Sequence, residues 1–366
     1  MPTPYYLIDE KLLVNNLEIL KGIKDRTGCK ILLAQKAFSC YHFYPLIAKY
    51  LDGTTASGLF EARLGFEEMG KETHVFSPAY REEEFEEICR YADHIIFNSA
   101  AQLAKYRGQA KAAGISCGIR VNPELSTQDK AIYDPCAPYS RMGVTLANFS
   151  EELLYSIEGL HFHTLCEQNA DALERTLDEI VNRFGKYFDR IKWINFGGGH
   201  HITRADYDIE KLVSLINAFK SKYKLEVYLE PGEAVVLDSG FLVSTVLDIV
   251  DNGKKIAILD TSAACHMPDV LEVPYTPRVF GSGADKEYAY ILSSCTCLAG
   301  DIIGEYAFAK QLKFGDQLIF EDMALYTFVK NNTFNGINLP SIVKLNQQGE
   351  FEVINSFGYQ DFKSRL

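Results

Sequence analysis

Lys36 closes the apolar run Ile31-Leu32-Leu33-Ala34-Gln35. A lysine at the mouth of an apolar strand is partly desolvated, which lowers its pKa and frees a neutral amine for a Schiff base. Position alone also allows a plain solvated lysine, so its companions decide. Gly197-Gly198-Gly199 follows another short apolar run, where backbone N–H groups could approach a phosphate closely; the plainer alternative is a flexible loop. Glu230, in Leu229-Glu230-Pro231-Gly232, is a strand-end carboxylate suited to keep a pyridine nitrogen protonated, or else a capping or surface glutamate. His161 and His163 are two apart and share one face of an extended segment. Such a pair admits a metal-hydrolase reading. The other strand ends show no obvious further His and Asp ligands, however, and the His163 ring is equally suited to stack on a flat cofactor. His200 and His201 could also ligate a metal, but adjacent loop histidines are usually solvated, and no metal is expected. Cys295-Thr296-Cys297, followed by Asp301, says little alone, because free cysteines are common core residues.

These groups need elements to position them. Eight short apolar or β-branched runs read as strands: Cys29–Gln35, Thr54–Ser57, His74–Ser77, His94–Asn98, Cys117–Asn122, Gly159–His163, Lys192–Phe196 and Glu226–Glu230. Between them Phe60–Gly70, Arg81–Tyr91, Ser99–Ala113, Ala170–Phe188 and Asp206–Tyr223 read as helices, with Ser99 and Asp206 as N-caps, and Glu10–Lys24 as a helix ahead of the first strand. Strand–helix alternation implies parallel strands with crossovers, and eight such units suit an α/β fold of the (β/α)8 TIM-like barrel type better than an open sheet. Functional groups in such barrels gather at the strands' C-terminal ends. Those ends here are Lys36, Ser57, Ser77, Asn98, Arg120, His163, the glycine run and Glu230. Residues 123–150, rich in proline and without a clean period, read as a long loop. After Gly240 the texture changes to strands: Phe241–Val250, Lys254–Asp260, Glu287–Ser294, Gln317–Phe320, Ser341–Leu345 and Phe351–Asn355. The expected organisation is a barrel over 13–238 and a C-terminal β-rich domain, a β-sandwich or barrel, over 1–12 and 239–366.

At 366 residues, 47% apolar and 23% charged, the chain has the material for two such folded parts. A net charge of −12 disfavours nucleic acid and gives a weak bias toward cationic substrates. The start, Met1-Pro2-Thr3-Pro4-Tyr5-Tyr6, lacks a basic segment before an apolar stretch, and no run is long and apolar enough to span a membrane. Nine cysteines without a Cys-x-x-Cys pair suit reduced thiols, so the expected compartment is the cytoplasm.

In order along the chain, several motifs resemble the fold-type-III pyridoxal-phosphate decarboxylases, which include ornithine and diaminopimelate decarboxylases. The carriers are Thr3-Pro4-Tyr5-Tyr6, Ala34-Gln35-Lys36-Ala37-Phe38-Ser39, Ala56-Ser57 with Glu61, Arg120-Val121-Asn122-Pro123, Ser140-Arg141-Met142-Gly143, Gly159-Leu160-His161-Phe162-His163-Thr164-Leu165-Cys166-Glu167, the triple glycine with His200, Glu230-Pro231-Gly232-Glu233-Ala234 and Asp260 through Asp269. The resemblance covers nearly the whole chain. It implies pyridoxal 5'-phosphate on Lys36, His163 stacked on its ring, Glu230 at its nitrogen, and phosphate held by Gly197, Gly198, Gly199 and Tyr326, with Arg120 supporting the site. It further implies a catalytic Cys297 acting across a homodimer interface, with Asp301 nearby. Ornithine and diaminopimelate decarboxylases carry arginine where this chain has Glu233. That departure puts one phosphate contact in doubt and disfavours a substrate with a distal carboxylate. Glu233, Asp269 and Glu272, with Asp301, would suit the ammonium groups of a carboxy-polyamine. The alternatives are a diaminopimelate or other basic amino-acid decarboxylase, a non-catalytic cofactor-binding homologue and the metal-dependent hydrolase.

Overall fold

The computed structural model describes residues 1–128 and 130–366. They form two compact units, Asn16–Val235 and Met1–Asn15 with Val236–Leu366. After β1 (Tyr5–Asp9), which belongs to the second unit, come β2 (Lys30–Ala34), β3 (Gly53–Ala56), β4 (Glu72–Phe76), β5 (His94–Phe97), β6 (Ser116–Arg120), β7 (Gly159–His161), β8 (Trp193–Asn195) and β9 (Glu226–Leu229). These eight close into a parallel barrel, with β9 returning to β2 through Ile31 and Leu229. The eight strands read from the sequence are thus the barrel.

Helices on the crossovers bury one face each. Glu82–Tyr91 turns Phe85 and Ile88 inward, and Ala100–Ala112 is capped by Ser99, whose side chain accepts from the Gln102 N–H. Two boundaries differ from expectation. The last barrel helix runs Ile209–Tyr223 and is capped by Asp208, which accepts from Lys211 N–H, while Asp206 pairs with Arg204. The expected helix Phe60–Gly70 is α-helical only over Leu59–Leu64 and widens into a π turn at Gly65–Met69. Gly65 lies against Thr54 and Gln35, which leave no room for a Cβ. Residues 123–150 are irregular apart from the short turns Ala131–Tyr133 and Leu146–Asn148, as expected for a loop; Asp129 lies outside the described residues.

Leu32, Ile96, Trp193 and Tyr228 fill the barrel, with Phe76 packed against them. Trp193 is accommodated by missing side chains on the adjoining strands. A Cβ at Gly118 or Gly159 would fall inside contact distance of the indole. Gly159→Ala is therefore expected to cost ~1–3 kcal/mol through overpacking. The measurement is a lowered thermal midpoint together with shifted emission from Trp193, the chain's single tryptophan. An unchanged midpoint would mean that the core yields at this point.

The second unit contains β10 (Gly240–Asp251), β11 (Lys255–Leu259), β12 (Tyr288–Ser294), β13 (Ile302–Phe308), β14 (Gln317–Glu321), β15 (Ser341–Leu345) and β16 (Phe351–Asn355). Together with β1 they make one mixed sheet, ordered β13-β12-β11-β10-β1-β15-β16, with β14 also on β10. The first half of β10 pairs with β1 on one side and β14 on the other. Its second half, from Val246 on, pairs with β11, with a register break between Val246 and Asp248. Tyr6, Leu242, Val246, Leu259, Leu292 and Phe320 lie in its core. Strands β1 and β13 were not anticipated as strands: β1 is short and follows prolines, and Gly304 interrupts the apolar run of β13.

Candidate active site

Lys36 follows β2 at the C-terminal end of the barrel, beyond the buried Gln35. Gln35 is fixed by Tyr44, whose hydroxyl donates to its Oε1 at 3.1 Å, and it donates in turn to Glu61 O at 2.8 Å. The Lys36 side chain is open to solvent yet ringed by protein. Burial lowers its pKa and the Arg120 charge lowers it further, against smaller opposing effects from Glu230, Cys166 and Glu233. This is the environment of an amine neutral more often than a surface lysine.

Glu230 emerges just past β9 and is 7% exposed. Its Oε1 accepts from Asn195 Nδ2 at 2.8 Å, and its Oε2 lies 3.2 Å from His161 Nε2. Burial alone would raise the carboxyl pKa, but the His161 ring and the Asn195 amide reverse that, and the group is held well below the usual range. His161 is itself pushed down by burial, so the pair is an ionised carboxylate beside a neutral imidazole that donates from Nε2. The sequence marked His161 only as one half of a possible metal pair. The signal for its real partner was the inward parity it shares with Glu230, which acquires meaning once β7 and β9 flank β8.

His163 Nδ1 lies 3.0 Å from Gly198 O and 3.1 Å from Gly198 N, so the ring is pinned to the glycine run. Burial, then the charges of Lys36 and Arg120, hold this imidazole well below its ordinary pKa and hence neutral. The run itself is not a flexible loop. Gly197 and Gly199 have φ of +73° and +80°, and a Cβ at Gly198 would collide with Glu230 O. Two of the three amides are already engaged: Gly197 N–H donates to Asn195 Oδ1 and Gly198 N–H faces His163 Nδ1. The Gly199 N–H has no acceptor among the described residues. Arg120 is buried, donates to His163 O at 2.9 Å and stacks 4.7 Å from the centre of the Phe76 ring. Glu233 stands within charge range of Lys36 and Cys166. Asn98, past β5, brackets the segment after the long loop by donating to Arg141 O and accepting from Gly143 N–H.

Tyr326, Asp269, Glu272, Cys297 and Asp301 belong to the other unit. Asp269 and Glu272 lie on one short helix, and both pair with the Lys330 ammonium. The two carboxylates thus share an internal cation of the class expected of a substrate. Tyr326 takes a left-handed φ of 41° in the turn that leads to Lys330. Cys297 is exposed, and its N–H donates to Asn335 Oδ1 at 2.7 Å. Asp301 is buried and accepts from the hydroxyls of Ser262, Ser294 and Thr296 and from Ala264 N–H. It therefore orders the segment that carries Cys297 and, against expectation, has little capacity left for a substrate ammonium. At the opposite end of the barrel Glu72, His74 and His94 lie close enough to hold a metal ion. Lys30 already pairs with Glu72 and Glu226 there, and an ammonium in that place opposes a second cation.

A closed barrel with a lysine of lowered pKa and a buried carboxylate at its C-terminal end, joined to a mixed sheet, defines a class of two-unit barrel enzymes. The chain belongs to the pyridoxal-dependent decarboxylases: the family profile described as "Pyridoxal-dependent decarboxylase, C-terminal sheet domain" matches residues 6–324. It is 46% identical to the carboxynorspermidine/carboxyspermidine decarboxylase of Campylobacter jejuni, over 99% of this chain and 98% of that protein. It is 41% identical to the carboxyaminopropylagmatine decarboxylase of Synechocystis, over 100% of this chain and 96% of that one. The crystal structure of carboxynorspermidine decarboxylase complexed with norspermidine from Campylobacter jejuni superposes with a TM-score of 0.95 at 44% identity, covering all of both chains. The family's cofactor is pyridoxal phosphate, and the barrel residues fit it. They offer a low-pKa amine for its aldehyde, an ionised carboxylate for its ring nitrogen, a neutral imidazole for its ring face and an unspent amide at Gly199 for its phosphate. No helix among the described residues is long and apolar enough to cross a membrane.

Proposed function

We propose that this chain is a carboxy-lyase of polyamine biosynthesis, converting carboxynorspermidine or carboxyspermidine into norspermidine or spermidine and carbon dioxide. The observation that carries the reading is the convergence, at one end of the barrel, of the Lys36 amine, its pKa lowered by the surrounding protein and by Arg120, with the ionised Glu230 and the neutral His163. Glu233, within charge range of Lys36, supplies a carboxylate for a polycationic tail, and the 46% identity to the Campylobacter enzyme runs over 99% of the chain.

Pyridoxal phosphate, once bound, supplies the electron sink for the pair left behind when carbon dioxide departs. Lys36 would hold the cofactor through its amine and exchange it for the substrate's α-amine. Glu230, fixed by Asn195 and His161, would keep a proton on the ring nitrogen. His163, immobilised on Gly198, would cover the ring. Gly199 and Tyr326 would hold phosphate, and Arg120 braces the backbone of His163. The carbon that loses carbon dioxide then takes a proton, which Cys297 delivers from the second subunit of a homodimer. Asp301 and Asn335 keep that thiol's segment in place. The protein acts in the cytoplasm as two copies that share both sites.

Shared sites have an arithmetic consequence. Lys36→Met and Cys297→Ala are each expected to be nearly inactive as separate proteins. Mixed in equal amounts under exchange, they should recover about one quarter of wild-type activity, because half of the dimers are mixed and each mixed dimer keeps one intact site. No recovery, with exchange verified, would place Lys36 and Cys297 in the same chain's site.

The test of the substrate is carbon dioxide release by the cofactor-loaded protein from carboxynorspermidine, carboxyspermidine, carboxyaminopropylagmatine, diaminopimelate and ornithine in parallel. Fastest release from the first two supports the proposal. Preference for the guanidinium-bearing compound would move the chain beside its Synechocystis relative, and preference for diaminopimelate or ornithine would overturn the role given to the acidic groups.

A further inference from the structure

Across β7, β8 and the end of β9, His161, Asn195 and Glu230 form a continuous row. Register sets it: His161 pairs with Asn195 between neighbouring strands, and Glu230 N–H bonds Gly197 O just past β8. All three side chains are buried. Each Glu230 oxygen has its own donor, Asn195 Nδ2 at 2.8 Å on Oε1 and His161 Nε2 at 3.2 Å on Oε2. With the carboxylate charged, this contact needs the proton on Nε2. Nδ1 is then bare, and it has no partner among the described residues. The ring is clamped as well. Phe76 stacks on it with centroids 5.6 Å apart and planes 18° apart, and the Arg120 guanidinium covers Phe76 at 4.7 Å.

A carboxylate anchored through one oxygen can still turn about its last torsion, whose minimum is broad. A second donor on the other oxygen removes that freedom, and the residue that supplies it acts on chemistry it never touches. We propose that His161 is a positioning residue: its Nε2–H, braced by the Phe76–Arg120 stack, keeps Glu230 charged and turned so that a remaining lone pair faces the barrel mouth. This rests on the reading that Glu230 meets the cofactor's ring nitrogen.

The experiment compares His161→Leu with His161→Gln, each loaded with pyridoxal phosphate. It measures kcat, KM, the pH profile of kcat, the thermal midpoint and the dissociation constant of the cofactor in the absence of substrate. His161→Leu is expected to lose about 10- to 100-fold in kcat with KM within about twofold. Its acid limb should move to higher pH, because a buried carboxylate short of one donor protonates more readily. The charged and titratable groups facing Glu230, apart from His161, are His74 of β4, Arg120 of β6 and Lys36 beyond β2, and all remain in both variants. His161→Gln, which restores an N–H donor, should recover most of kcat, return the limb and bind cofactor more tightly than His161→Leu. Equal losses in both variants, or an unchanged kcat and pH profile in His161→Leu, would overturn the proposal. Glu230→Gln separates the two layers. If that variant is as active as wild type, the Glu230 reading fails; if it is impaired while His161→Leu is not, only the role of His161 fails.

Discussion

Lys36→Met loses turnover by about 10⁴-fold or more and no longer retains the cofactor through dialysis, while the fold is kept. The loss follows from chemistry: a thioether can neither hold an aldehyde covalently nor release it. Retention of the fold follows from the sign of the pKa shift. Burial lowers the Lys36 pKa. Between the lowered value and the ordinary lysine value, the folded chain binds fewer protons than the unfolded one, so stability rises with pH across that window and is penalised below it. Methionine has nearly the same length and no charge to desolvate. The cofactor-free variant is therefore expected to melt at or above the midpoint of the cofactor-free wild type at pH 7. Thermal melts and absorbance after dialysis check both halves. Turnover within tenfold of wild type would remove Lys36 from its role.

Glu230→Gln is expected to lower kcat by about 10²- to 10³-fold, with cofactor still bound and KM little changed. The substitution keeps the volume and removes the charge proposed to hold a proton on the ring nitrogen, so only a step that delivers electrons into the ring should suffer. The variant also repeats an amide opposite Asn195, whose Nδ2–H now meets Oε1 at 2.8 Å. An Asn195→Asp partner substitution should not rescue it, because the returned charge is displaced from the mouth. Steady-state kinetics at saturating cofactor decide the matter; a kcat at half the wild-type value or above would mean that the ring nitrogen needs no carboxylate.

The barrel was legible because its signals are local. Each of the eight strands is a short run that ends at, or is followed directly by, a polar residue, and the helices between them repeat with helical period. What escaped depended on partners distant in sequence. The glycine run reads as a phosphate loop or a mobile one. Its tightness comes from Phe162, Leu165 and Glu230 pressing their carbonyls where Cβ atoms would stand. Asp301 reads as a free carboxylate beside a cysteine, yet Ser262, Ser294 and Thr296 converge on it. Asp269 and Glu272 read as open acceptors, and Lys330 closes on both from 58 or more residues away. His161 and Glu230 are 69 residues apart. Asp206 and Asp208 are equivalent by composition, and only the true start of the helix tells them apart.

The place of β1 has a consequence for how the chain is made. It pairs with β10 on one side and with β15, residues Ser341–Leu345, on the other. During synthesis the first strand leaves the ribosome long before either neighbour exists. The barrel, Asn16–Val235, is complete in sequence while β1 still has both edges open. Pairing between the two ends of a chain is slow to form, and an unpaired apolar strand invites association with other chains. Tyr5–Asp9 can be paired on both edges only after Ser341–Leu345 has been translated, so chains cut short before Ser341 keep one of its edges open.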